Sequence, residues 1–297
     1  MRILFNTAFE EGTRSIARAA EELAATQRQV SSGRRVGAPS EDPLGTASAI
    51  TEHATVDRLD AYGSATGAAW YRLGLADTVL SDIVIQIQAA QTTALSAQGS
   101  PKAQAQRDAA ANELLAIRDA VLSDADTQFQ GSYLFSGSKV TTAPFVRTVG
   151  GISAYQGDAS PTSIDIAAGR LVPSTFDGGQ ILQGSDSQHV LDVLTNLAAA
   201  VSAGDNTAIS TGLDALTRAF DRATKAQAQV GNGLRSLDDN QTQLTATRTQ
   251  VVTSLSKIED ADLAKASTRL ALAETAYRAA LGAMATLGRL SLMDYLK

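Results

Sequence analysis

Apolar residues recur every seven positions at both ends of this chain and again through its middle, and that spacing admits few folds. Near the start the repeat runs Phe9, Ile16, Leu23, Val30, with Glu10, Glu11, Arg14, Arg18, Glu21, Glu22 and Arg28 between. Near the end it runs Leu263, Leu270, Tyr277, Met284, with Ala266, Ala273, Ala280 and Leu287 three residues after each. A seam of this kind on a charged helix is the pattern of helices that pair along their length. Small Ala at alternate seam positions lets the partner helix come close. The middle repeats it at Leu73, Leu80, Ile87 and Ala94, more briefly at Leu115, Leu122 and Phe129, and at greatest length from Ile209 through Leu216, Ala223, Val230, Leu237, Leu244 and Val251 to Ile258. Unbroken, 209–258 would extend about 75 Å at ~1.5 Å per residue. Gly231 and Gly233 weaken it by ~1 kcal/mol each relative to Ala and mark a bend or a close backbone approach. The expected fold is mainly α: a long coiled-coil-like helical rod built from both chain ends, with a small β-rich insertion at its tip.

The period fails in three places. The first is "SSGRRVGAPSEDPLG", Ser31–Gly45, with three Gly and two Pro between strongly helical stretches. It has no Gly-Lys followed by Ser or Thr and follows a helix instead of a strand, so it lacks what a phosphate-binding loop needs. It reads as a joint: Gly33 ends the first helix in the left-handed conformation. Ser40 caps the next, with Pro43 in its first turn and Glu41 and Asp42 favoured by the helix dipole. Gly33, Gly37, Pro39 and Pro43 are the expected hinge. The second is "IEDAD", where the register slips by two between Ile258 and Leu263, read as a solvated helix break. The third is the stretch 132–187, punctuated by Gly and Pro. There Ile164 and Ile166 alternate with Ser163 and Asp165 as in a half-buried strand. The expected domains are 1–42 with 255–297 (terminal helices and joint), 43–131 with 188–254 (helical rod), and 132–187 (β-rich).

Composition removes most alternative chemistries. Net charge is −6, from 25 basic and 31 acidic residues, and the basic ones are scattered. No basic face for nucleic acid is expected. No eighteen-residue apolar run predicts a membrane span, and the N-terminal stretch, broken by Asn6, Thr7 and Glu10, does not read as a cleavable signal. There is no Cys, hence no disulfide or thiolate chemistry. His53 and His189 share no metal-ligand spacing and read as lone surface histidines. "GSYLFSG" is not a nucleophile elbow. No catalytic residue, metal site or cofactor is expected.

Three stretches carry a resemblance. "LAATQRQVSSGRRVGAPSEDPLGTASA", "TQFQGSYLFSGSKVTTAPF" and "IEDADLAKASTRLALAETAYRAALGAMATLGRLSLMDYL" resemble the flagellin superfamily of bacterial flagella, over roughly 1–145 and 188–297. Filament flagellins usually carry Asp-Asp-Ala-Ala-Gly where this chain has "EDPLG". Leu134–Phe145, Tyr155–Asp158 and Leu290–Leu296 are closer to the hook-associated branch, whose members join hook to filament. The resemblance implies a structural subunit, not an enzyme. It would be exported unfolded through the flagellar type III channel, attended by an export chaperone. It would self-associate in a ring or tube beside a neighbouring hook-associated protein and flagellin, on the outside of the cell. Assembly would use Phe9, Ile16, Leu23, Val30, Leu263, Leu270, Tyr277 and Met284, with Leu272, Leu281 and Leu290 left for neighbouring subunits. The alternatives are a filament flagellin and a secreted coiled-coil adhesin or scaffold. The metalloprotease that some relatives carry in the insertion is not expected, because 132–187 has neither His nor HExxH.

Overall fold

A computed structural model describes residues 2–37, 39–98, 103–149 and 151–295, with side chains described for Thr7 and from Phe9 to Thr286 outside the gaps. Leu287 and Leu290, as side chains, lie outside the described residues. The order is α1 (Arg2–Ser32), α2 (Pro43–Ala97), α3 (Gln104–Ala125), β1 (Gln128–Phe129), β2 (Ser132–Tyr133), β3 (Arg147–Thr148), β4 (Gly151–Ile152), β5 (Ser163–Ala167), β6 (Arg170–Pro173), α4 (Gly178–Leu182), α5 (Val190–Ala203), α6 (Asn206–Glu259) and α7 (Leu263–Tyr295). The protein is mainly helical with small two-stranded sheets. It divides into a unit of 60–245 and a unit of 1–59 with 246–297, α2 and α6 supplying residues to both.

In the 60–245 unit the heptad positions become the core. Leu73, Leu80, Ile87 and Ala94 on α2 are buried, as are Ile209, Leu216, Ala223, Val230 and Leu237 on α6. α2 is long and apolar enough to cross a membrane by length and composition, but Leu73, Leu80, Ile83 and Ile87 of that stretch pack in this core, while Trp70, Tyr71, Ile85 and Leu95 are exposed. α6 is continuous through Gly231 and Gly233. Gly233 marks a close approach, since a Cβ there would lie 2.7 Å from Leu73 Cδ2. On α3 the buried line is Leu114, Ile117, Val121, Leu122 and Ala125, while Leu115 is only partly buried, a shift of one residue from the expected repeat.

Among the described residues the strands form three antiparallel hairpins, β1–β2, β3–β4 and β5–β6. Gln130 (φ 50°) and Gly131 (φ 78°) supply the positive φ that a two-residue turn requires. Along β5, Ile164 and Ile166 point inward and Ser163 and Asp165 outward. Leu134, Phe145, Ile166 and Val172 belong to the same apolar cluster as the helices.

Three separated segments, Phe135–Ser138, Tyr155–Ser160 and the start of α4, are tied together here. The Tyr155 hydroxyl donates to Phe135 O at 2.9 Å and Asp158 O at 3.2 Å. Burial, with Asp177 close by, pushes the Tyr155 phenol up. The Asp158 carboxylate accepts from Ser138 N at 2.7 Å and Ser160 N at 3.1 Å. Gly178 packs directly on Phe135 O, where a Cβ would sit at 2.5 Å. Two further polar groups act inside the core. Asn240 is buried and donates to Thr66 Oγ1 and Ile166 O, both at 3.0 Å, joining α6 to α2 and to β5. His189, expected at the surface, is buried. It caps α5 by accepting from Asp192 N at 3.2 Å and lies edge-on to Phe145. Burial lowers the His189 pKa, opposed by the Asp192 carboxylate, so a helix cap and not a surface position explains this residue.

Candidate functional site

The unit of 1–59 with 246–297 brings the two chain ends together. α1 and α7 pack along their length, antiparallel. Gly12 lies against the Met284 thioether, which a Cβ at 12 would overlap, and Thr26 lies beside Ala273. The closest contacts use small residues, Ala266, Ala273 and Thr26 being buried. Ile16, Leu23, Val30, Leu270, Tyr277 and Met284 are half-buried. Phe9 and Leu263 are about half exposed, at 50% and 54%, and Leu272 and Leu281 also face outward, at 65% and 43%. Burial is thus concentrated on the Ala positions of the seam, as close helix approach demands. The larger residues straddle its edges.

The two interruptions of the sequence meet. Arg34 and Asp260 form an antiparallel bridge, within which Arg35 N donates to Glu259 O at 2.6 Å and Ala261 N to Gly33 O at 2.8 Å. The Arg35 guanidinium donates twice to Ile258 O, at 3.1 and 2.7 Å, and pairs with Asp42 at 3.3 Å. Gln29 donates to Arg35 O at 3.0 Å. These bonds satisfy backbone groups that helix ends leave open. Gly33 takes φ 68°, the left-handed conformation. Pro43 opens α2, but the cap is Asp42 and not Ser40. The Asp42 carboxylate accepts from Gly45 N at 2.8 Å and its carbonyl from Thr46 N at 2.9 Å. The one-residue spacing from Asp42 to Pro43 puts Pro at the first helical position, where its missing N–H is no loss. Gly37 N donates to Glu41 at 3.0 Å, and Pro39 lies in the turn that follows.

The acidic break is not simply solvated. Glu259, only 16% exposed at its side chain, meets His53 Nε2 at 2.9 Å and Arg34 at 3.7 Å. Asp262 begins α7, accepting from Lys265 N at 3.1 Å, and this hydrogen bond holds its carboxyl below the usual range. Beside the joint, between α1 and α7, runs a groove of about 550 Å³ with Arg28, Arg34, Arg35, Arg269 and Leu272 on its walls. Among the described residues no group of three or more His, Asp or Glu is arranged to hold a metal ion. The arrangement offers surfaces for helix packing and ion pairing. Sequence patterning missed the Arg35–Ile258 and His53–Glu259 contacts, whose partners stand more than two hundred residues apart.

Paired terminal helices, a Gly–Pro joint and hairpins carried within a helical core define a class of subunit. Residues 3–140 match the bacterial flagellin N-terminal helical region and 213–296 the bacterial flagellin C-terminal helical region. The chain belongs to the flagellin family. It is 26% identical over 274 residues to flagellar hook-associated protein 3 of Salmonella typhimurium, covering 88% of this chain and 82% of that protein. A putative flagellar hook-associated protein from Vibrio parahaemolyticus superposes with a TM-score of 0.70 at 19% identity, over 74% of this chain and 100% of that one. The flagellar junction protein FlgL from Legionella pneumophila superposes at 0.61 with 13% identity, over 71% and 99%.

Proposed function

We propose that this chain is a structural subunit of the bacterial flagellum that joins hook to filament through helix–helix packing of its terminal segments. The observation that carries the reading is the α1–α7 pair. It closes on small residues and leaves Phe9, Leu263, Leu272 and Leu281 outward for another chain. The names of the relatives, flagellar hook-associated protein 3 and flagellar junction protein, support the hook–filament position over a filament flagellin.

On this reading the interface comprises Phe9, Ile16, Leu23, Val30, Leu263, Leu270, Tyr277 and Met284, and Gly33, Gly37, Pro39 and Pro43 form the hinge. Segments 1–42 and 255–297 serve assembly, 43–131 with 188–254 form the rod, and 132–187 the outer part. Copies associate in a ring or tube between a neighbouring hook-associated protein and flagellin. The subunit reaches that place by type III export, with a chaperone covering apolar terminal surface beforehand. It performs no catalysis.

The test is removal of the gene from the source bacterium. Hooks should remain, filaments should be shed into the medium, and a labelled copy should restore attachment from one hook-proximal spot. Label along whole filaments would point to filament flagellin, and filaments that stay attached in the deletion would refute the role.

A further inference from the structure

We propose that the groove beside the joint receives the Phe9–Glu10 end of α1 from a second copy of this chain, an inference that rests on the self-association proposed above. The groove gathers positive charge in a protein of net −6. Four arginines line it against two glutamates. Arg28 and Arg34 reach their carboxylate partners only at 3.8 and 3.7 Å, and Arg269 makes no hydrogen bond or ion pair among the described residues. The apolar side of the groove ends in Leu272, which is exposed. A fitting occupant therefore presents a carboxylate and an apolar side chain together.

The same unit carries one. Phe9 is exposed and is followed by Glu10 and Glu11, both exposed. Phe9 and Glu10 lie about 100° apart around the helix, so a groove that holds both wraps the edge between their two faces. Among the described residues Glu10 pairs with Arg14 at 3.4 Å, an exposed i,i+4 pair that is easily exchanged. Among the described residues of this unit, Asp262–Leu263 is another exposed pairing of acid and large apolar residue. Its carboxylate is occupied by the α7 N-terminus and Lys265.

Phe9–Glu10 cannot fold back into its own groove. Both lie on α1, and the eighteen residues from Glu10 to Arg28 set them ~27 Å apart. The contact is between copies and heterologous, so it propagates into a closed ring or an open helical array. Arginine paired with carboxylate beside an aromatic anchor is the chemistry by which such contacts hold.

The test uses full-length variants in the source bacterium lacking its own copy, with exported protein, filament attachment and motility measured together. Glu10→Arg and Arg269→Glu should each be exported normally and reduce attached filaments by about tenfold, the penalty of a like-charge contact. The double reversal in one chain should regain wild-type attachment. Because the chain has no Cys, co-expressed Phe9→Cys and Leu272→Cys chains of different size should form a mixed disulfide in isolated flagella. If either single reversal supports normal attachment, or the exported double reversal fails to regain it, the docking is overturned while the flagellar role stands. If the deletion itself leaves filaments attached, the flagellar reading falls and this inference with it.

Discussion

Replacing Arg35 by Ala should loosen the joint without unfolding the 60–245 unit. The guanidinium donates twice to Ile258 O and pairs with Asp42 at 3.3 Å. A charged donor on a carbonyl contributes about 1.5–3 kcal/mol, and the 47% exposure of this side chain puts it at the low end. The exposed ion pair adds about 0–1 kcal/mol. About 2 kcal/mol is therefore at stake, close to thirtyfold in the equilibrium between closed and open joint at 1.4 kcal/mol per tenfold. The amides that report it are Arg35 N, bonded to Glu259 O, and Ala261 N, bonded to Gly33 O. Hydrogen exchange at these two should accelerate by about thirtyfold in Arg35→Ala. Arg35→Lys, a single point donor in place of a fork, should fall between. Peptides from the 60–245 core should exchange as in wild type. Unchanged exchange at Arg35 and Ala261, or equal loss throughout the protein, would refute the assignment of this side chain as the clasp of the joint.

Asp126 is pushed from 3.8 to about 6 by burial, with Phe145 N donating to it in partial compensation. The folded state therefore holds a proton that the unfolded state has released between these values, and stability falls as pH rises from about 4 to about 6. The full shift corresponds to ~3 kcal/mol, and solvent screening of a half-buried carboxylate reduces it to about 1 kcal/mol. Asp126→Asn should gain that amount at pH 7 and nothing at pH 3, measured by urea unfolding against wild type. Asn240→Leu strands the Ile166 carbonyl and should cost about 1–3 kcal/mol, while Asn240→Asp, which sets a carboxylate against that carbonyl, should cost more in the same assay. Gly12→Ala should be nearly neutral by thermal melting, because a gain of ~1 kcal/mol in helix propensity offsets displacement of the flexible Met284 thioether. Gly12→Leu should expose α1 and α7 to proteolysis, and Met284→Ala should relieve it.

The sequence made the helices legible because their burial is periodic. Ile209, Leu216, Ala223, Val230, Leu237 and Leu244 stand at the predicted spacing, and all are buried. The terminal seam was legible as a pairing surface, but its depth was not. Spacing alone does not say that Ala266 and Ala273 are buried while Leu263 stays out. That depends on how close the partner backbone comes. Ser40 was a reasonable cap by residue type. Asp42 takes the role because α2 opens at the proline that follows it. His189 and Asn240 carry no pattern of their own. Their places are set by Phe145, Thr66 and Ile166, all distant in sequence, so no local window contains the reason. The same holds for Tyr155, whose hydroxyl is spent on Phe135 O twenty residues away.

The slip of register between Ile258 and Leu263 and the glycine-bearing loop after α1 make sense only together. Had the heptad continued, α7 would have extended the seam of α6, and the end of α1 would have kept its open carbonyls in solvent. Breaking the chain at 260–262 turns that around. Gly33 O finds Ala261 N, Glu259 O finds Arg35 N, and Ile258 O finds the Arg35 fork. Each interruption supplies donors or acceptors for the other. It also means that the segments beside the start of α7 and the end of α1 are bonded to each other directly. From that clasp the two helices run antiparallel, and the pairing of chain ends separated by most of the sequence becomes a local event. The loop-closure entropy is offset once, at the joint, and the Ala seam can then close from that end. A change that opens the clasp should therefore weaken the α1–α7 pair most at the residues beside it, Val30 and Ala266, and only later at Gly12 and Met284.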